Sequence, residues 1–248
     1  MRTRILQKLA EIERERNIEI LFAVESGSRA WGFASPDSDY DIRFVYKRKL
    51  NDYLDLWETK DTIQFMTEDE LDGSGWDVRK ALGLLSKSNA SLLGWLFSPI
   101  VYIDNGPVLE EMKTLARNNF SPVSGFYHYH SMNKGFDDIL GSEEMNLKSF
   151  FYAMRTSLCA KWILVNESIP PVLFAELFSL LSENEIELLN ELIELKSKAI
   201  EKAKDPIDKR LISLAHETVL FNNENKESAV GKKPNKEEFN SFFVNLLK

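Results

Sequence analysis

The 248-residue chain has one cysteine, three histidines and no long apolar run. The single cysteine, Cys159, excludes an intrachain disulfide partner and a zinc site built from several cysteines. The histidines (His128, His130 and His216) do not form the HExxH pattern of zinc hydrolases. No segment approaches the roughly 18 apolar residues that span a bilayer, and the charged N-terminal stretch lacks the apolar core of a signal peptide. These absences predict a cytoplasmic protein with no membrane partner.

The chain also lacks an excess of positive charge. It has 31 Lys and Arg residues against 39 Asp and Glu residues, a formal net charge of -8. Modules that bind long nucleic acids non-specifically are usually basic, so the overall charge gives no support for that class. The dense basic run is 47–49, which we interpret as a solvated loop. Apolar residues make up 44% of the chain, an ordinary globular composition.

Hydrophobic periodicity predicts a mixed α/β region followed by a helical region. Helical spacing occurs at 3–17 and 77–88, and strand-like patterns occur at 18–24, 39–46, 62–66 and 71–74. Helical patterns then dominate at 122–140, 147–165, 172–181 and 184–204, and 222–237 is predicted to be an exposed loop. The predicted fold class is α+β, with a catalytic domain at 1–104 and an all-helical domain at 105–248 that closes a cleft.

One stretch has the composition of a metal-dependent phosphate site. Glu25-Ser26-Gly27-Ser28 follows the first predicted strand, and Asp39-Tyr40-Asp41 begins the second. Residues i and i+2 of a strand lie on one face, so the two aspartates are expected to project together. Adjacent carboxylates need a cation, and oxygen-only ligands favour Mg²⁺. The small residues favour a turn whose backbone N–H groups bind phosphate, with Ser28 as a candidate helix cap.

Each of these elements also has a structural explanation. A Gly-Ser turn is often only a turn, and an Asp-x-Asp pair at a strand edge is often a solvated surface pair. Their combination at this spacing, with strand, helix and strand around them, favours a bound nucleoside triphosphate and its metal.

The same residues carry a family resemblance. Gly27-Ser28, followed by Asp39 and Asp41, resembles the signature of the DNA polymerase β-like nucleotidyltransferase superfamily. The longer strings 27–32 and 38–43, with a second block at 72–82 and 95–102, resemble a predicted branch that includes polymerase β-like proteins linked to RNA-repair operons. The resemblance is strong over 21–104 and consists mostly of helical pattern over the remainder.

The resemblance implies transfer of a nucleoside monophosphate from an NTP such as ATP to an acceptor hydroxyl, with Mg²⁺ or Mn²⁺ and with release of pyrophosphate. Asp39 and Asp41 would hold the metal with a third acid from a neighbouring strand. Asp72 is favoured as that acid, since Asp77, the alternative, begins a helix and has an N-cap role. The implied NTP-binding residues are Gly27, Ser28, Arg29, Arg43 and Lys80. Arg43 could equally pair with an acid, and Lys80 could be a surface lysine.

The sequence leaves the acceptor open. An RNA end follows from the family link alone, and a protein hydroxyl or a small molecule is an alternative. A non-catalytic NTP-binding module on the same fold, or a metal-dependent phosphohydrolase, is a further alternative. Candidate contacts to base or acceptor from the helical part are His128, His130 and Lys134. His128 and His130 lie two residues apart on a predicted helix, hence on different faces, so a shared metal is not expected.

Overall fold

The computed structural model of the chain describes residues 1–57, 59–67, 71–133, 146–198 and 207–248. The strands are β1 (Glu19–Glu25), β2 (Tyr40–Lys47), β3 (Thr62–Met66), β4 (Leu71–Asp77) and β5 (Val101–Asp104). The first helices are α1 (Arg2–Arg16), α2 (Gly27–Trp31), α3 (Leu50–Leu54), α4 (Val78–Leu85), α5 (Ala90–Leu96) and α6 (Val108–Asn119). They are followed by α7 (Pro122–Met132), α8 (Leu147–Asn166), α9 (Glu183–Lys198), α10 (Lys209–Asn225) and α11 (Lys236–Leu247). The architecture confirms the predicted α+β class.

The five strands form one mixed sheet in the order β3-β4-β2-β1-β5. β2 pairs with β4 in parallel, and the other neighbouring strands are antiparallel. The parallel register runs from Tyr40 opposite Leu71 to Tyr46 opposite Asp77. Both strands therefore begin at the same end of the sheet, where Asp41 and Asp72 lie, and Asp77 lies at the other end of β4.

A hydrophobic core lies between α1 and one face of the sheet. Alternate residues of β2 meet the apolar stripe of the helix, which has the i, i+4, i+7 spacing of one helical face. The residues are Ile42, Phe44 and Tyr46 from the strand and Ile5, Leu9 and Ile12 from the helix. The intervening residues of β2, including Asp41 and Arg43, project to the opposite face.

β4 extends three residues beyond the predicted 71–74 segment. Glycine weakens a strand intrinsically, yet two glycines lie in β4 because aromatic rings occupy the space of their missing side chains. A Cβ at Gly73 would lie 1.9 Å from the Phe65 ring, and one at Gly75 would lie 2.1 Å from the Phe44 ring. β4 is paired on both sides, with β2 and with β3. The hydrogen bonds to these two strands stabilise an extended backbone that glycine by itself disfavours.

The chain divides into two compact units, and they differ from the predicted division after residue 104. The first unit comprises 1–30, 39–120 and 233–248, and the second comprises 31–38 and 121–232. α6 contacts α5 and β1, and α11 contacts α4. The packing of these two helices, which sequence periodicity does not reveal, places them with the sheet.

The helical patterns correspond to helices with shifted ends. The pattern at 122–140 is α7, with 134–145 outside the described residues, and that at 184–204 is α9, with 199–206 outside them. Residues 174–180 form a 3₁₀ helix, and the predicted loop at 222–237 begins inside α10. Cys159 in α8 is fully buried, and this burial raises the pKa of its thiol.

In the part of the chain that the structure describes, no helix is both long and apolar enough to cross a membrane.

Candidate active site

Two of the predicted acids lie side by side at the edge where β2 and β4 begin. Asp41 and Asp72 are direct partners in the parallel register. Arg43, two residues along β2, donates from Nη2 to Asp41 Oδ1 at 2.8 Å and to Asp72 Oδ2 at 3.2 Å, and from Nη1 to the Asp72 carbonyl at 2.9 Å. The Arg43 side chain is 17% exposed, against 28% for Asp41 and 40% for Asp72. The single guanidinium therefore bridges two carboxylates that are partly open to solvent and offsets one of their two negative charges.

The turn after β1 touches the Asp41 carboxylate. Gly27 has φ +62°, in the left-handed region that favours glycine. A Cβ at this position would lie 1.9 Å from Asp41 Oδ2, and the neighbouring Ser26 N–H donates to the Asp41 carbonyl at 2.8 Å. Glycine is thus required on two counts, conformation and space. The predicted phosphate turn and the predicted metal acid form one contiguous surface.

Glu25 is a residue to which the sequence assigned no role. Its side chain is fully buried, and one carboxylate oxygen accepts from the Asp41 N–H at 2.7 Å. The other oxygen accepts from the Tyr102 hydroxyl. Burial raises the pKa of Glu25, against the lowering effect of these two hydrogen bonds. Glu25 thus fixes the main chain at Asp41. In the sequence, an acidic residue at the end of an otherwise apolar strand was the signal that could have identified this role.

Asp39 stands apart from this pair. It is exposed and precedes the first residue of β2, and the Arg29 Nε donates to its carbonyl at 3.1 Å. The Arg29 guanidinium also lies over the Tyr40 ring, 3.9 Å from its centroid. The structure places Asp39 at the entrance to β2, within two residues of Asp41 but outside the ladder that fixes Asp41 and Asp72.

Asp77, the alternative third acid, is held elsewhere. It is five residues beyond Asp72 and therefore on the other face of β4. Its Oδ1 accepts from the Arg79 N–H at 2.8 Å as the N-cap of α4, and its Oδ2 accepts from the Tyr53 hydroxyl at 3.0 Å. Burial raises its pKa. The N-cap interpretation is confirmed, and the register separates Asp77 from Asp41.

Lys80 has the surface setting that was the alternative to phosphate binding, and Ser28 is not a helix cap. Lys80 donates to Asp61 Oδ1 at 2.9 Å and to Thr62 Oγ1 at 2.7 Å. Thr62 pairs with Trp76, about 13 Å along β4 from Asp72 at 3.3 Å per residue. Ser28 is the second residue of α2 and not its cap, because the helix begins at Gly27.

Residues 1–245 match the model of a family described as RlaP, the RNA repair pathway DNA polymerase beta family. The chain belongs to this family. The resemblance seen over 21–104 thus extends across both units. By family, the chain is a polymerase β-like nucleotidyltransferase.

Two further comparisons accompany the RlaP match. The chain is 36% identical over 253 residues to the uncharacterized protein YcgL of Bacillus subtilis (strain 168), an alignment that covers 100% of this chain and 96% of that protein. A solved nucleotidyltransferase-like protein from Exiguobacterium sibiricum 255-15 aligns with 97% of this chain and 78% of its own. That alignment has 12% identity and a TM-score of 0.32.

The RlaP-family site has the donors for a divalent cation. In the described ranges, no three His, Cys, Asp or Glu side chains are already arranged around a metal position. The carboxylates of Asp41 and Asp72 nevertheless supply the hard oxygen ligands that Mg²⁺ prefers, and Arg43 shows that a positive charge is accommodated between them. These two neighbouring acids fit such an ion, whereas Asp39 precedes β2 and lies outside their ladder.

The predicted contacts from the helical part lie in the second unit. His128 and His130 are on α7, where the His130 ring stacks on Phe126 with centroids 5.2 Å apart. Lys134 lies outside the described residues. A role for these three residues in binding base or acceptor stays a prediction.

Proposed function

We propose that this chain transfers a nucleoside monophosphate from an NTP to the hydroxyl of an RNA end. The observation that carries the proposal is the direct pairing of Asp41 with Asp72 beside the Gly27 turn, and RlaP membership supports the reaction class and the acceptor. In this reaction the acceptor hydroxyl releases its proton to solvent as its oxygen forms a bond to the α-phosphorus. The bond from that phosphorus to the oxygen bridging to the β-phosphate breaks, and pyrophosphate leaves.

Asp41 and Asp72 would hold Mg²⁺, or Mn²⁺ in its place, with Asp39 as the further carboxylate. Such an ion, when bound, supplies stabilisation of the negative charge on the transferring phosphoryl group. The protein's own contribution is to hold two carboxylates side by side, which costs free energy unless a cation offsets their repulsion. Arg43 supplies this positive charge, because its Nη2 donates to both carboxylates. Glu25 fixes the backbone at Asp41.

The turn that follows β1 would bind the triphosphate. Gly27 lets the main chain lie against Asp41, so phosphate oxygens bound at this turn would be next to the carboxylates. The Ser28 hydroxyl and the Arg29 guanidinium are the polar groups that α2 adds there. Lys80, engaged by Asp61 and Thr62, has no part in this proposal.

Label transfer from each of the four α-³²P-labelled NTPs tests the function. The acceptors are short RNA, short DNA and total protein, each with Mg²⁺ or with Mn²⁺. Wild type is compared with Asp41→Ala and with Asp104→Ala, which removes an exposed carboxylate at the end of β5. We expect label on RNA with wild type and Asp104→Ala, and none with Asp41→Ala.

Each other result has a definite meaning. Label on protein alone would show that the acceptor is a protein hydroxyl and not RNA, and would support the proposed transfer reaction. NTP binding that depends on Asp41, with no label on any acceptor, would favour the non-catalytic module. Equal transfer by wild type and Asp41→Ala would reject the site.

A further inference from the structure

A basic crevice lies in the first unit, at the end of β2 that is distant from Asp41. It encloses about 360 Å³. Its lining contains four basic side chains and the acidic Glu19; the basic ones are Lys47, Arg48, Lys49 and Lys248. A chain with a net charge of -8 thus concentrates positive charge at one concave place.

Two of the four cations are committed to the protein. Arg48 donates from Nη2 to the Lys60 carbonyl at 3.1 Å, and its Nε is 3.9 Å from Asp77 Oδ2. The Lys47 ammonium is 3.3 Å from Glu19 Oε2, with 24% of the side chain exposed. These contacts fix the wall of the crevice.

The other two cations offer charge to an anion. Lys49 is exposed just before α3, and Lys248 is exposed at the end of the described chain, where its ammonium donates to Asn245 Oδ1 at 3.4 Å. Neither Lys49 nor Lys248 forms an ion pair with another described residue. Two ammonium groups on one concavity, with no ion-pair partner among the described side chains, suit phosphate oxygens.

An exposed aromatic side chain follows α3, eight residues after Lys49. Trp57 is 77% exposed. Between Lys49 and Trp57 the chain passes through the five-residue α3 and two further residues, so their Cα atoms are at most about 20 Å apart at 1.5 Å per helical and 3.6 Å per extended step. Basic grooves combined with exposed aromatic rings bind single-stranded nucleic acids, because the rings stack on unpaired bases.

The distance to the acids matches a short oligonucleotide. Lys47 is six residues from Asp41 along β2, which is about 20 Å at 3.3 Å per residue. One stacked strand advances about 3.4 Å per nucleotide. An RNA with its end at Asp41 and Asp72 would therefore span the distance to the crevice with about six nucleotides.

We propose that the basic crevice and Trp57 bind the phosphodiester backbone and an unpaired base of a single-stranded RNA. This inference rests on the proposed function for the choice of RNA. An anionic lipid surface would attract the same charges, but the lysines line a concavity, which suits a strand better than a flat bilayer.

Fluorescence anisotropy with a dye-labelled 12-nucleotide single-stranded RNA tests the proposal on the full chain, in EDTA and without NTP. The crevice variant is Lys49→Ala/Lys248→Ala, and the matched control is Lys87→Ala, an exposed lysine of the same unit outside the crevice. Each lost phosphate contact lowers the salt slope of log K by about 0.7 for a single strand. We expect a decrease of about 1.4 in the double variant and none in the control.

Trp57→Ala is expected to weaken single-stranded binding by roughly 5- to 150-fold and to leave binding of a 12-base-pair duplex unchanged. Trp57→Phe should restore most of the loss. Unchanged affinity and salt slope in the crevice variant would overturn the proposal, as would binding to phosphatidylserine vesicles in place of RNA.

Failure of the proposed function gives a different pattern. If the crevice variants weaken RNA binding while wild type transfers no label, the crevice is supported and the transfer reaction is rejected. If label transfer occurs but the variants bind RNA as wild type does, the crevice is rejected alone.

Discussion

Asp41 and Asp72 are direct neighbours across the parallel pairing of β2 with β4. Two carboxylates at this spacing repel each other in the absence of a cation. Arg43 lies between them, with Nη2 hydrogen-bonded to both. The same guanidinium therefore stabilises the fold and occupies oxygens that a metal ion would use.

Arg43→Ala is expected to destabilise the metal-free protein. The loss is about 1–3 kcal/mol, because hydrogen bonds to charged groups disappear and the carboxylates are left to repel. Mg²⁺ should restore more stability to this variant than it adds to wild type. Urea unfolding with and without Mg²⁺ measures both. Lys80→Ala, which breaks a pair with the exposed Asp61, should change stability by less than about 1 kcal/mol, independently of Mg²⁺. Equal metal-free stability of Arg43→Ala and wild type would contradict the bridging role.

Alanine substitution is expected to affect transfer activity at Asp72 and folding stability at Asp77. Asp72→Ala is expected to lower transfer by at least about 100-fold, since even residues that only orient metal ligands contribute 10–100-fold. Asp77→Ala should keep transfer and lose a helix cap worth about 0.5–2 kcal/mol, a decrease in Tm of about 1–8 °C for a chain of this size. Transfer assays and thermal unfolding distinguish the two. The opposite pattern would move the third acid to Asp77.

Gly27→Ala is expected to impair NTP binding. An L-residue in the left-handed region costs about 1–2 kcal/mol, and the new Cβ would force Asp41 from its position because it would lie 1.9 Å from Oδ2. At Gly94 in α5 an added Cβ would meet no atom within 4 Å, so Gly94→Ala should gain up to about 1 kcal/mol. Calorimetric titration with Mg²⁺-NTP and thermal unfolding measure the two effects. Wild-type NTP affinity in Gly27→Ala would show that the turn is not part of the site.

Glu25 should make stability depend on pH in a definite direction. Burial raises its folded-state pKa above the ordinary value of 4.5. The stability that it contributes is therefore fully present below the unfolded pKa and is lost as pH rises through the folded pKa. Glu25→Gln does not ionise, so the unfolding free energy of wild type minus that of the variant should fall as pH rises from about 4 upwards.

Urea unfolding over a pH series measures this difference. Glu110→Gln is the matched control, because the Lys113 ammonium lowers the pKa of Glu110. The unfolding free energy of wild type minus that of Glu110→Gln should therefore rise with pH. A pH-independent difference for Glu25→Gln would show that burial does not perturb this carboxyl.

Local pattern predicted the strands and much of the site. The segment at 62–66 is β3 with the predicted bounds, and the segments at 18–24 and 39–46 are β1 and β2 shifted by one residue at each end. Strand spacing predicted that Asp39 and Asp41 share a face, but β2 begins at Tyr40, so within the strand it is Arg43 that shares the face of Asp41. The interpretation of Asp77 as a cap was equally local and is confirmed.

The sequence by itself determined the fold class, most of the strands and the Gly-Ser and Asp-x-Asp motifs, because periodicity and turn chemistry act over a few residues. Only the tertiary structure decided that Asp72 lies beside Asp41, that Arg43 joins them and that the buried Glu25 accepts from the Asp41 N–H. Those facts depend on the register of β2 against β4, about thirty residues apart in the chain. Strand pairing at that separation is set by packing of the whole sheet, which no local period encodes.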